Sequence, residues 1–402
     1  MLQNYLMLIL RNFSRRKLRG WLTILGILIG IASVVALISV AQGMQNSITE
    51  QFQKLGTNKL MIMPGSGAMF GAFAGQKLTE DDLEAVKKVE GVDIATEMFF
   101  RMGKIKFRDE TKTAYVIGLP TDESLKIVED MAGFSAEKGR QIKEGDKYKV
   151  TVGWRYWDSD FFKKKVSLRD KLEIEGKEFE VVGLIKKMGN PEDDSQIYIN
   201  IETAREIFNE KNEVTYIYVQ VKEGYVPDRV AERIKKELGD FRDEEEGEET
   251  FNVQTFEQMI QQFSQVLGVV GSVLVIIALI SLVVGGIGIM NTMYTSVLER
   301  TREIGIMKAV GAKNSQILWL FTLESGFYGF IGGAIGVLLG AGLAKIGEFA
   351  AASAGYEILK VAFPMWLIFG ALFFAFAVGC IAGVAPARAA AKLKPVQALR
   401  YE

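Results

Sequence analysis

Four long stretches of the chain carry no charged side chain: residues 20–49, 258–298, 325–344 and 361–387 of 402. Nothing else in the sequence restricts the fold so strongly. A hydrocarbon layer of about 30 Å is crossed by roughly 20 helical residues rising about 1.5 Å each, so every stretch is long enough to span a bilayer. The apolar core of the first, residues 21–41, is too long for a signal-peptide core and lacks a small-residue cleavage pattern after it. It is read as a retained helix.

Charge gives the orientation. Arg11, Arg15, Arg16, Lys17 and Arg19 precede the first span, and the positive-inside rule holds such a cluster in the cytoplasm. Counting crossings yields this layout: residues 1–19 cytoplasmic, 20–42 first span, 43–257 extracytoplasmic domain, 258–298 helical stalk and second span, 299–315 cytoplasmic helix, 316–344 third span, 345–360 outer loop, 361–387 fourth span, 388–402 cytoplasmic tail. Arg300, Arg302, Lys308 and Lys313 in the inner loop, and Arg388, Lys392, Lys394 and Arg400 in the tail, agree with it. Both termini and the inner loop therefore face the cytoplasm of a multi-pass cell-membrane (plasma or inner-membrane) protein.

Between the first two spans the pattern changes to short strands and amphipathic helices, an α+β signature. Expected strands cover residues 58–63, 92–100, 104–107, 112–118, 149–152, 171–174, 179–185, 196–199 and 215–221. Thr79 opens a helix whose first turn carries Glu80, Asp81 and Asp82, where the macrodipole favours them. A short helix is expected at residues 154–162, and Val230, Ile234 and Leu238 mark the apolar face of another. Two lobes are read: one from both ends of the segment, and one inserted at about residues 124–191. The apolar, glycine-rich stretch 65–75 reads as a loop that packs on a neighbour or touches a ligand, and the acidic run 243–249 as a solvated loop. Thr255 and Gln258 fit a capping box opening a helix that continues into the second span.

Much chemistry is absent. No Gly-rich loop ending in Lys and Ser or Thr occurs, so ATP is not bound in the P-loop manner. With no His, a Ser or Cys triad cannot be completed in the usual way, and Cys380 alone forms no internal disulfide. No metal site and no catalytic residue is expected. A net charge of −1 gives no reason to expect nucleic acid. Glu324 is the exceptional ionisable residue within the spans; it either serves coupling or interhelix contact, or simply reaches the interface. Gly26 and Gly30, and Gly332, Gly336 and Gly340, lie four apart and permit close helix packing.

The inner loop, residues 299–312, is the most informative segment. It reads as an amphipathic helix, with Ile304, Met307 and Val310 on one face, ended by Gly311. Its sequence resembles the signature of the FtsX-like permeases, the MacB-type membrane subunits of ABC transporters. The resemblance extends to Asn12, Arg15, Lys17, Arg19, Leu22, Thr23, Gly26, Ile27, Gly30 and Ala32 at the start. Within the outer domain it is carried by Gly139-Arg140, Val152-Gly153, Gly176, Phe179, Val182-Gly183 and Ile197-Tyr198, and at the end by Pro386, Ala387, Arg388, Ala390, Pro395, Ala398, Leu399 and Arg400. Met307 stands where a basic residue is common, and Asn200 where proline is common.

The resemblance implies an α-helical membrane protein with four transmembrane helices and a two-lobed α+β extracytoplasmic domain. It implies a permease without an ATPase site of its own, working as a homodimer with two copies of a cytoplasmic ABC ATPase that binds the ATP and Mg. Further implied partners are membrane lipid and an extracytoplasmic adaptor or substrate-delivery protein. The coupling element is expected at Glu299, Arg300, Arg302, Glu303, Gly305, Lys308 and Gly311, with Arg302 and Lys308 pairing to the partner's carboxylates. The implied activity is mechanotransmission, for efflux of a peptide, toxin, antibiotic or lipid-linked substrate. The alternative is a signalling permease that regulates an extracytoplasmic hydrolase or receptor.

Overall fold

A computed structural model describes residues 17–55, 58–65, 77–158, 161–357 and 359–399. Arg11, Arg15, Arg16, Arg400 and all of the 65–75 stretch except Gly65 lie outside them. The chain divides into two compact units, one of residues 46–264 with 352–358, the other of the remainder.

In chain order, α1 (Lys17–Leu55) is followed by β1 (Lys59–Pro64), β2 (Leu78–Thr79), α2 (Glu80–Lys87), β3 (Val92–Phe107) and β4 (Glu110–Leu119). Next come α3 (Leu125–Ala132), β5 (Ala136–Gly139), β6 (Lys149–Val152), α4 (Trp154–Asp158), β7 (Lys171–Ile174), β8 (Lys177–Ile185) and β9 (Ile197–Asn200). Then α5 (Ile201–Phe208), β10 (Glu213–Val214), β11 (Tyr216–Val221), α6 (Pro227–Phe241) and β12 (Phe251–Thr255) complete the α+β part. The chain continues as α7 (Phe256–Glu299), α8 (Thr301–Ala309), α9 (Asn314–Ser353), α10 (Met365–Lys392) and α11 (Pro395–Leu399).

In the α+β unit the main sheet runs β12-β1-β11-β3-β4-β9-β6-β8-β5, with β7 joined to β3 and β8. The pairs β4/β9 and β6/β8 are parallel, and the remaining pairs are antiparallel. β3 holds the sheet together: its first half pairs with β11 and its second with β4. The break expected between residues 100 and 104 does not occur, because Arg101, Met102 and Gly103 stay in register with Val116, Tyr115 and Ala114. One apolar cluster draws on both ends of the segment, including Leu60, Ile62, Val219, Val230, Ile234 and Leu238. Another draws on its middle, including Phe99, Tyr156, Phe179, Ile197 and Ile199.

Local signals place the element ends. Thr79 and Asp82 form a reciprocal capping box at α2, and Asn200 accepts from the amides of Glu202 and Thr203 to cap α5. α4 stops at Asp158, short of the expected 162, and the rings of Phe161 and Phe162 turn onto Tyr156 with centroids 4.4 and 5.8 Å away. The acidic run 243–249 is not merely solvated. Glu249 is buried and pairs with Lys235 at 3.0 Å, and Glu244 accepts from the Thr250 amide at 2.8 Å.

Buried Asp82 receives Arg242 Nε and Nη2 at 2.8 and 2.6 Å. Burial pushes its carboxyl up, but Arg242 and the Thr79 amide outweigh this and leave it below the usual carboxylate range. The Arg140 guanidinium and the Lys143 amide likewise hold Asp146 below that range against the smaller opposing effect of burial.

Residues 352–358, between α9 and α10, belong to this same unit. The Glu357 amide donates to the Gly189 carbonyl at 2.9 Å, and its carboxylate pairs with Lys187 at 2.6 Å. Asp194 fixes the receiving loop by accepting from the Met188 and Gly189 amides.

Among the described residues, four helices are long and apolar enough to cross a membrane: α1, α7, α9 and α10. α7 is one uninterrupted helix of 44 residues, opened by Thr255 and Gln258, whose side chains accept from each other's amides. The expected capping box is present, and the helix runs from the end of β12 to Glu299 without a break.

Candidate functional site

The inner loop folds as the short helix α8, set between α7 and α9. Thr301 Oγ donates back to the Leu298 carbonyl at 2.8 Å across the turn at Arg300. At the other end Gly311 has φ +105°, a left-handed conformation that glycine adopts without strain, and the helix stops there. The Lys313 amide then donates to Gln316 Oε1 at 2.9 Å and α9 begins.

The two faces of α8 differ. Inward, Ile304 is fully buried and Met307 partly so, in a cluster with Ile317, Phe321, Ala387, Ala390 and Ala391. Met307, the position where the resemblance leads one to expect a base, thus has a packing role. Outward lie Arg302, Glu303, Ile306, Ala309 and Val310, with Ile306 50% and Val310 86% exposed. The face expected to join Val310 with Ile304 and Met307 is therefore corrected. Val310 caps the helix at its end and turns away from the core.

The expected coupling residues separate into two groups. Arg300 pairs with the buried Glu324 of α9 at 3.1 Å, with Glu303 at 3.0 Å, and lies 5.4 Å over the Phe321 ring. Lys308, expected to meet a partner's carboxylate, donates to the carbonyls of Ala391 and Leu393 at 2.7 and 2.6 Å. Gly305 is buried in the inward face. Glu299 and Arg302 are exposed, and Arg302 has no ion pair among the described residues. No sequence pattern announced the Lys308 contact, since its acceptors lie 83 and 85 positions away.

The helices carrying this site pack through glycine. A Cβ on Gly26 would lie 2.8 Å from Gly285 Cα, one on Gly336 2.9 Å from the Leu28 carbonyl, and one on Gly340 3.0 Å from Ala32 Cα. Gly30 faces Ala278 and Ser281 with more room, and Gly332 is buried. A second row, Gly326, Gly329 and Gly333, meets Ala375, Phe376 and Gly379 of α10, with Cys380 packed against Gly326. Its spacing of three and four was visible in the sequence but was not singled out.

The α+β unit adds a groove of about 390 Å³ lined by Phe100, Arg101, Met102, Tyr115, Glu213 and Tyr216. Its charges are internally matched: Arg101 pairs with Glu213, and Lys77 meets Glu213 at 2.6 Å. Phe100, Tyr115 and Tyr216 give it aromatic walls, and Lys77, Arg101 and Glu213 give it a charged side.

Comparison with known proteins gives two family matches. Residues 21–237 match the MacB-like periplasmic core domain, and residues 275–395 the FtsX-like permease C-terminal domain. An uncharacterized ABC transporter permease of Methanocaldococcus jannaschii is 37% identical over 393 residues, covering 98% of this chain and 96% of that protein. The uncharacterized ABC transporter permease YknZ of Bacillus subtilis is 30% identical, with 98% of both chains covered. The macrolide export ATP-binding/permease protein MacB of Bdellovibrio bacteriovorus is 30% identical over 98% of this chain, which spans 61% of that protein's length.

Proposed function

Because the chain belongs to the MacB-type, FtsX-like family of ABC transporter permeases, we infer that it converts ATP hydrolysis on a partner subunit into movement of its α+β unit outside the membrane. The observation that carries this is the outward face of α8: Ile306 and Val310 stand exposed beside Arg302, on a short helix held between two spans. Apolar groups beside a free cation form a docking surface whose charge gives specificity and whose apolar centre gives affinity. In this reading both termini and α8 are cytoplasmic, and two copies of the chain engage two ATP-binding subunits.

Three features support mechanical work rather than passage through the bilayer. Residues 1–402 carry no phosphate loop, so ATP is assigned to the partner. The spans offer one buried carboxylate, Glu324, and it is already paired with Arg300, so no relay of ionisable groups crosses the bilayer. α7 is continuous from β12 to the turn before α8, and an unbroken helix transmits displacement along its axis. The substrate class assigned to the outer unit, acting as two lobes, is an exported peptide, toxin, antibiotic or lipid-linked molecule, received with an extracytoplasmic adaptor or delivery protein. Reconstitution of the chain with its ATP-binding subunit tests the docking surface. Ile306→Asp or Val310→Asp is expected to weaken association about tenfold or more while membrane insertion is unchanged. Unaltered association in both variants refutes the assignment.

A further inference from the structure

Two of the charged groups on the inner loop face the chain's own helices. Arg300, at the start of α8, holds Glu324 of α9, whose side chain is only 7% exposed. Lys308, in its last turn, donates to the Ala391 and Leu393 carbonyls at the end of α10. A helix leaves its last carbonyls without intrahelical partners, and the negative end of its dipole attracts a cation. Lys308 supplies both the donor and the charge. Between these polar ends Ile304 and Met307 seal the inward face against Ile317, Phe321 and Ala390, and α11 packs on α8 just beyond Leu393.

We propose that Arg300 and Lys308 are positioning residues: they clamp α8 to α9 and α10, so that force applied to its outward face moves both spans together. The proposal rests on the coupling reading above and divides the inner loop by role. Arg302, Ile306 and Val310 receive the partner, and Arg300 and Lys308 transmit. Lys308 directs two of its three ammonium donors to these carbonyls, so its place on the inner loop is fixed by the end of the chain's own α10.

The clamp can be tested without any partner. The full chain in lipid nanodiscs is compared as wild type, Lys308→Met, Lys308→Arg and Glu324→Gln by hydrogen exchange of the α8 amides. Lys308→Met and Glu324→Gln are expected to speed exchange about tenfold there, with α6 unchanged as the folding control. Lys308→Arg, which keeps a cationic donor, stays within about twofold of wild type. Unchanged α8 exchange in Lys308→Met overturns the clamp. A second readout uses the ATP-binding subunit. Lys308→Met should keep association within about twofold yet lower stimulated ATP hydrolysis about tenfold, and Lys308→Arg should restore it. Loss of association as large as that of Arg302→Glu makes Lys308 a contact residue and also overturns the clamp. If Arg302→Glu binds like wild type, the coupling reading fails while the exchange result still judges the clamp.

Discussion

Gly26 and Gly285 meet backbone to backbone: a Cβ added to Gly26 would stand 2.8 Å from Gly285 Cα and 2.9 Å from its amide nitrogen. Lipid gives helices little hydrophobic reason to associate, so close van der Waals approach through small residues supplies much of the attraction. Gly26→Leu should destabilise the folded membrane unit by about 1–3 kcal/mol through overpacking, read from the unfolding midpoint in mixed micelles. Gly268→Leu, where a Cβ meets nothing within 4 Å, should leave that midpoint unchanged.

The Asp82 ion pair predicts a pH dependence. The Asp82 carboxyl lies below its ordinary value when folded, so its contribution to stability is complete above the unfolded carboxylate value and fades as pH falls through the lower folded value. Asp82→Asn should cost about 2 kcal/mol near pH 7, and the difference from wild type should shrink as pH falls below the ordinary carboxylate range. Chemical denaturation followed by tryptophan fluorescence at several pH values checks it.

The segment between α9 and α10 is fastened within the α+β unit by Glu357 and Lys187. Lys187→Ala should loosen residues 352–358, raising exchange at the Glu357 amide about fivefold or more, because the 2.9 Å bond from that amide to Gly189 would then open locally. An unchanged rate would show that Gly355 against Pro191 holds the segment without the ion pair.

The groove beside Tyr216 predicts a selective response to ligands. Met102 is 57% exposed at its rim. Met102→Asp should reduce binding of an apolar fluorescent probe to the full chain about tenfold, while Lys106→Asp, outside the groove, should not.

Much of the architecture was legible because it depends on pattern over many residues. Uncharged runs announced the four long helices, Thr79 marked a helix start, and the capping box expected of Thr255 and Gln258 is present. β3 is expected from the sequence as two strands, and pairing with β4 keeps Arg101, Met102 and Gly103 extended between them. At the site, residue types were readable but directions were not. Ile304, Met307 and Val310 share a helical period, yet Gly311 ends the helix and leaves Val310 exposed. The Lys308 contact was not legible because the carbonyls it caps come from a distant part of the chain, and backbone acceptors carry no sequence signature.

The most direct measurement is co-isolation of the chain from its own membranes under mild detergent, with the associated proteins identified and counted by mass spectrometry. The account predicts an ATP-binding subunit recovered in about equal amount with wild type and depleted about tenfold or more with Val310→Asp. Recovery of the chain with no ATP-binding protein would contradict it.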